Sequence, residues 1–172
     1  MEDLLTAEEW NRQGVSQAVL GKYKEALGAY NHAVELDPYF EGAWQNKGLA
    51  LTKLGKLEEA LEAFIRATGI NPQDASAWSN EGDVLRQLGR YEEALDIYDT
   101  AIAINPRHFA AWYSKGLVFK ELGKYEEALD AFDKAVELRP QDAAALHNRG
   151  SALVMLKRYE EALDAFTKAN EL

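Results

Sequence analysis

The chain has 172 residues, 47% hydrophobic and 28% charged, a balance that excludes disorder by composition. Its 29 acidic and 19 basic side chains leave a net charge of −10, which argues against nucleic acid and against an anionic membrane surface, because both need a basic face. Without cysteine no disulfide framework or thiolate metal site can form. No apolar run nears the roughly 20 residues of a membrane span, and the N-terminus lacks a basic-then-apolar leader pattern. A cytoplasmic protein is expected.

Thr6 followed by Glu9 has the spacing of a capping box, in which each side chain satisfies a backbone N–H at a helix start. The first helix is therefore predicted from about Ala7, with residues 1–6 as a short lead-in. From there one skeleton returns every 34 residues: Trp44, Trp78 and Trp112; Gly48, Gly82 and Gly116; Gly55, Gly89 and Gly123; Pro72, Pro106 and Pro140. Ala60, Ala94 and Ala128 keep the same register, as do Ala67, Ala101 and Ala135. A fixed period of this size marks a stacked-repeat architecture. The repeats are read as 7–40, 41–74, 75–108, 109–142 and 143–172, one continuous domain.

Each repeat holds two apolar-periodic segments, helix A and helix B, separated by a glycine-marked turn. Gly21, Gly55, Gly89 and Gly123 follow Leu20, Leu54, Leu88 and Leu122, where a left-handed helix end is wanted. Lys157 takes that place in the last repeat, so its turn is expected to be the least stable. Helix B opens with Glu58-Glu59, Glu92-Glu93, Glu126-Glu127 and Glu160-Glu161, acids that suit the positive end of the helix dipole. Glu62 with Arg66, Asp130 with Lys134 and Asp164 with Lys168 are spaced for pairing one turn apart. Gly14, Gly48, Gly82, Gly116 and Gly150 on helix A, with the recurring alanines of helix B, are the small residues that close helix crossings require, and Tyr30, Phe64, Tyr98, Phe132 and Phe166 fill the space beside the contact from helix B.

The pattern W-x3-G-x6-G-x4-A-x3-[YF]-x2-A-x4-P resembles the tetratricopeptide repeat. The resemblance implies an all-α fold, a right-handed superhelical solenoid of helix-turn-helix repeats whose A helices line a concave groove for a partner protein or peptide. One departure recurs. Just before the first glycine, where the family commonly has an aliphatic residue, stand Gln13, Lys47, Glu81, Lys115 and Arg149, and a solvated edge is expected there.

Transferring the family's groove positions gives Asn11, Arg12, Gln45, Asn46, Asn80, Asp83, Arg86, Tyr113, Lys120, His147 and Asn148 as the candidate binding residues. The sixth position of each repeat reads Arg12, Asn46, Asn80, Ser114 and Asn148, similar to the asparagine ladder in the superhelix of O-linked N-acetylglucosamine transferase. An amide both donates and accepts, so such a ladder can bond an extended peptide whatever its sequence. The cationic fork of the dicarboxylate-clamp members is missing in all three registers tried, which removes a carboxylate-tail ligand.

A catalytic constellation is not expected. The histidines are His32, His108 and His147, no G-x-G occurs, and Gly48 to Lys56 has the wrong glycine spacing for a phosphate loop. Neither cofactor nor metal is anticipated. The reading is a non-enzymatic scaffold binding an extended partner segment. The alternatives are a self-associating module and a targeting domain of a larger enzyme. For self-association the candidates are Leu163, Phe166 and Leu172, apolar residues with no following helix to cover them, through which a homodimer would form unless the array continues.

Overall fold

The computed structural model describes residues 5–172; of the expected lead-in, residues 1–4 lie outside it. The capping box at the first helix is complete. The Glu9 amide donates to Thr6 Oγ1 at 3.2 Å and the Thr6 amide donates to Glu9 Oε2 at 2.8 Å. That backbone donor is the main reason the Glu9 carboxyl lies below its ordinary range.

Ten helices follow among the described residues: α1 (Ala7–Val19), α2 (Tyr23–Leu36), α3 (Glu41–Lys53), α4 (Leu57–Ile70), α5 (Ala75–Gln87), α6 (Tyr91–Ile104), α7 (Phe109–Glu121), α8 (Tyr125–Leu138), α9 (Ala143–Met155) and α10 (Tyr159–Asn170). They fall into two units, one ending at Leu88 and the other beginning at Gly89. In the first unit α1 to α5 pack in sequence, with α1 also against α3 and α3 against α5. In the second, α6 packs on α7, α7 on α8, α8 on α9 and α9 on α10, with α7 also against α9. Antiparallel helix pairs joined by short turns are thus the building block of both.

The turns inside the pairs have one geometry. Gly21, Gly55, Gly89 and Gly123 adopt φ of 73–74°, and the backbone bonds Lys22 N to Gln17 O (2.9 Å) and Lys124 N to Phe119 O (2.9 Å) close the helix ends. Lys157 adopts φ 62° and is the one non-glycine residue with positive φ among the described residues. It still makes the same closure, Arg158 N to Leu153 O at 2.9 Å. The last turn therefore keeps the shape and bears the steric cost.

Packing within the pairs α1–α2, α3–α4, α7–α8 and α9–α10 runs through a glycine and an aromatic ring. A Cβ on Gly48 would lie 2.7 Å from Phe64 Cζ, one on Gly116 2.6 Å from Phe132 Cε1, and one on Gly150 2.7 Å from Phe166 Cε1. Phe64 and Phe132 are buried, as are the alanines Ala60, Ala67, Ala128 and Ala135 around them. In the second unit Ala128, Leu129, Phe132, Ala152, Leu153, Ala162 and Ala165 form one core, with Phe166 packed against it.

Between pairs, the three tryptophans after Trp10 share one role. The indole N–H of Trp44 donates to the Pro38 carbonyl (2.9 Å), Trp78 to Pro72 (3.0 Å) and Trp112 to Pro106 (3.0 Å). Pro38, Pro72 and Pro106 thus follow the end of helix B and also present an acceptor to the next helix.

Two expectations need correction. The position before the first glycine is not uniformly a solvated edge. Glu81 is buried and accepts from Thr68 Oγ1 at 3.0 Å, Lys115 pairs with Asp99, and Arg149 pairs with Asp133 at 2.5 Å. These groups sit where a helix meets the preceding one, so each is met by a side chain of that helix. Of the predicted one-turn pairs, Asp164–Lys168 forms at 2.8 Å, whereas Lys134 turns to Glu137 at 2.8 Å instead of Asp130. A second set went unforeseen: the cations that precede helix B reach its second glutamate, as in Arg90–Glu93 and Arg158–Glu161, both two-pronged.

Candidate partner-binding face

The candidate residues sit on α1, α3 and α5 in the first unit and on α7 and α9 in the second. In the first unit Asn46 Nδ2 donates to Asn11 Oδ1 at 3.0 Å, a bond from one helix to its neighbour. It uses one donor and one acceptor of the pair, and each amide has capacity beyond it. Gln45 donates through Nε2 to Asp74 Oδ2 at 2.6 Å and also meets Glu41, which fixes it between the start of α3 and the start of α5. Asn80, Asp83 and Arg86 are half-buried on α5, while Arg12 is exposed.

The second unit has a tighter cluster. Asn148 Nδ2 donates to Tyr113 Oη at 3.0 Å and to the Ala144 carbonyl at 2.9 Å, and Oδ1 accepts from Lys120 Nζ at 2.5 Å. Tyr113 stacks on Phe109, ring centroids 5.8 Å apart and 11° from parallel, and the Arg139 guanidinium covers the other ring at 4.2 Å from the Phe109 centroid. His147 is exposed and its ring lies 5.2 Å from that of Phe166. The structure therefore brings Asn11 to Asn46, and Tyr113 and Lys120 to Asn148.

The last amide differs from the others. Both Nδ2 protons of Asn148 are engaged, one of them by its own helix, so it has little donor capacity left for a peptide. Sequence position alone could not separate it from Asn46, because the difference comes from Tyr113 and Lys120 on the neighbouring helix. Ser114, which interrupts the row of amides, is buried.

At the other candidate surface Leu163 is 68% exposed and Leu172 60%. Phe166 is only half-exposed, because its ring fills the space over Gly150 within its own helix pair. Among the described residues no group of three or more His, Cys, Asp or Glu side chains could hold a metal ion, and no helix is long and apolar enough to cross a membrane.

Models of the tetratricopeptide repeat match residues 7–40, 39–107, 73–141 and 113–171. No curated protein matches the chain. Among solved structures, the chain is similar to MamA 41-end from Desulfovibrio magneticus RS-1, with 25% identity and a TM-score of 0.86 over 96% of this chain and 94% of that one. It is similar to MamA AMB-1 at 26% identity and a TM-score of 0.75, covering 96% and 91%. YrrB, described as a TPR protein with an unusual peptide-binding site, is 24% identical with a TM-score of 0.75, covering 96% and 85%; at that identity the likeness is one of fold. With repeat models spanning nearly its whole length, the chain belongs to the tetratricopeptide repeat family.

Proposed function

We propose that the chain is a non-enzymatic protein-interaction scaffold that holds an extended segment of a partner protein on the faces of its A helices. The observation that carries this reading is the Asn46–Asn11 bond at 3.0 Å. It places two amides within reach of one another on adjacent helices, with donors and acceptors to spare for a peptide backbone. Asn80 on the next helix of the same unit extends the row. In the second unit the exposed His147 and the Tyr113 ring supply a contact surface with a different character, more aromatic and less dependent on amides.

The test is selection of peptides from a displayed random library against the chain, followed by binding of the selected peptide to an Asn11→Ala, Asn46→Ala, Asn80→Ala variant. Loss of at least tenfold in affinity, with the helical circular dichroism unchanged, is the expected result. Unchanged binding would move the site off the A-helix face of the first unit.

A second reading has its own support. Leu163 lies on the last helix with most of its side chain in water, and Leu172 follows just past its end. Surface of this kind favours association, and a second copy of the chain is the proposed occupant. Sedimentation equilibrium of the parent beside Leu163→Asp decides it: a dimer lost in the variant supports a homodimer through this surface, and a monomeric parent rejects it.

A further inference from the structure

Three times in this chain an indole sits over the turn that ends a B helix and donates to the proline carbonyl there. In two of the three a cation from the same helix, three residues on, lies over that indole: Lys47 is 4.8 Å from the Trp44 ring centroid and Lys115 is 5.8 Å from that of Trp112. An indole N–H can only donate, so the carbonyl satisfies its polar edge while packing and the cation hold its face.

The fourth such turn has everything except the indole. Pro140 follows the end of α8, and the turn closes with Asp142 N to Arg139 O at 3.1 Å, just as Asp74 N to Asn71 O (3.2 Å) and His108 N to Asn105 O (3.0 Å) close the earlier ones. Six residues after Pro140, in the register of Trp44, Trp78 and Trp112, stands Leu146, a buried side chain that carries no donor and is much smaller than tryptophan. Three residues beyond is Arg149, the counterpart of Lys47 and Lys115. A cleft of about 600 Å³ opens at this place, lined among others by Val136, Pro140, Leu146 and Arg149, within the size range of ligand sites. Each charged side chain on its walls already has an opposite partner, Arg149 with Asp133 at 2.5 Å, Lys168 with Asp164 at 2.8 Å, and Glu137 with Lys134 just outside the lining at 2.8 Å, so the cleft asks for no net charge from an occupant.

We propose that this cleft is a docking site for a tryptophan side chain presented by a partner protein. The indole would rest on Val136 and Leu146, donate to the Pro140 carbonyl and lie beneath the Arg149 guanidinium. The occupant is specified by what the molecule itself places on the same scaffold at Trp44, Trp78 and Trp112. Tryptophan combines the flat apolar area with the single donor that the site lacks. Tyrosine and phenylalanine supply the area without an N–H on the ring. The cleft lies between α8, α9 and α10 and involves none of the amides of the A-helix face, so the two sites stand or fall separately.

The experiment uses the full chain, with the methyl groups of Leu146 and Val136 followed by NMR as N-acetyltryptophanamide is added. Saturable shifts at both residues are expected. They should be at least tenfold weaker with the 1-methylindole analogue, which keeps the shape and loses the donor. Leu146→Trp should fill the cleft from within and abolish the response, read in this variant at Val136, while its melting temperature stays at or above that of the parent, since the same side chain is accommodated at the three earlier turns. Should that variant fail to fold, Leu146→Phe closes the cleft with a smaller ring, and the same loss is expected. The proposal is overturned if the probe produces no saturable shift, if the methylated analogue binds equally, or if a folded Leu146→Trp still responds. It is overturned as well if the parent is a dimer that Leu146→Trp dissociates, because a second copy would then be the occupant.

Discussion

Thr68 donates its hydroxyl to Oε2 of Glu81 across 3.0 Å, and both side chains are buried. The same hydroxyl oxygen lies 3.1 Å from the Phe64 carbonyl and 3.2 Å from that of Ile65, so three acceptors compete for one proton. Burial pushes the Glu81 carboxyl above its ordinary value of 4.5, against the opposing pull of the Thr68 bond. A protonated Glu81 resolves the competition, donating to Thr68 Oγ1 while the hydroxyl turns to its own helix.

The sign of the pH effect follows. With the folded value raised, the native state binds more protons than the unfolded chain from about pH 4.5 up to the folded value. Across that window the contribution of Glu81 to stability falls as pH rises. Glu81→Gln offers Thr68 both a donor and an acceptor without charge. The variant is expected to melt higher than the parent at pH 8, with the gap closing as the pH approaches 4. Thermal melts of both proteins at a series of pH values check this; a gap that does not change with pH would place the cost of Glu81 in packing rather than in charge.

Lys157 is the second site of built-in cost. At φ 62° its Cβ crowds the backbone in a turn that glycine occupies four times elsewhere in the chain. Lys157→Gly is expected to stabilise the protein by about 1 kcal/mol, the usual penalty for a side chain in this conformation. Lys157→Ala should gain little, because the Cβ remains. Urea denaturation of the three proteins measures both differences.

These two residues show where the sequence was legible and where it was not. Lys157 could be read directly, since a backbone requirement is local and the glycines at 21, 55, 89 and 123 state it. The helix starts and the set of small and aromatic residues at the helix contacts were legible for the same reason, recurrence in register, whereas the direct seating of a ring on a helix-A glycine came only with the structure. The environment of Glu81 was not. A charged residue before the first glycine looks like an exposed edge until the preceding helix is in place, and that helix supplies Thr68 to Glu81, Asp99 to Lys115 and Asp133 to Arg149. At the candidate binding face the row of amides could be picked out by position. That Asn148 is held by Tyr113 and Lys120 depends on side chains 35 and 28 residues away, and no periodic signal carries it. The tryptophan–proline bond was within reach, because the two residues recur six apart in three successive repeats, but the hydrogen bond itself is a matter of geometry.

The glycine–aromatic contacts predict a sharp asymmetry between substitution alone and in combination. A methyl group on Gly116 would sit 2.6 Å from Cε1 and 2.8 Å from Cδ1 of Phe132, a ring that is itself fully buried. Gly116→Ala should therefore destabilise the protein by about 1–3 kcal/mol through overpacking, even though alanine is the better helix former. Combining it with Phe132→Leu should cost less than the sum of the single changes, because the smaller side chain removes the clash. Additive losses in chemical denaturation would mean that the ring moves aside without resistance.

The Tyr113–Asn148–Lys120 cluster is the place to test whether the second unit's face is set in advance of any partner. Asn148 bridges α7 and α9 through two hydrogen bonds, one to each of two residues a little under two turns apart on α7. If those bonds persist in solution, Tyr113→Phe and Asn148→Ala should be coupled, with an interaction energy of about 0.5–1 kcal/mol in a double-mutant cycle. Lys120→Met should couple to Asn148→Ala by a similar amount, and raising the salt concentration should leave that second coupling largely in place, because Asn148 is uncharged and Debye screening acts between charges. An interaction energy near zero in both cycles would mean that Asn148 is free to turn its amide to a bound peptide, as the amides of the first unit are proposed to do. Strong coupling would instead fix Asn148 as a rigid support for the Tyr113 ring, leaving the ring and His147 to meet the partner.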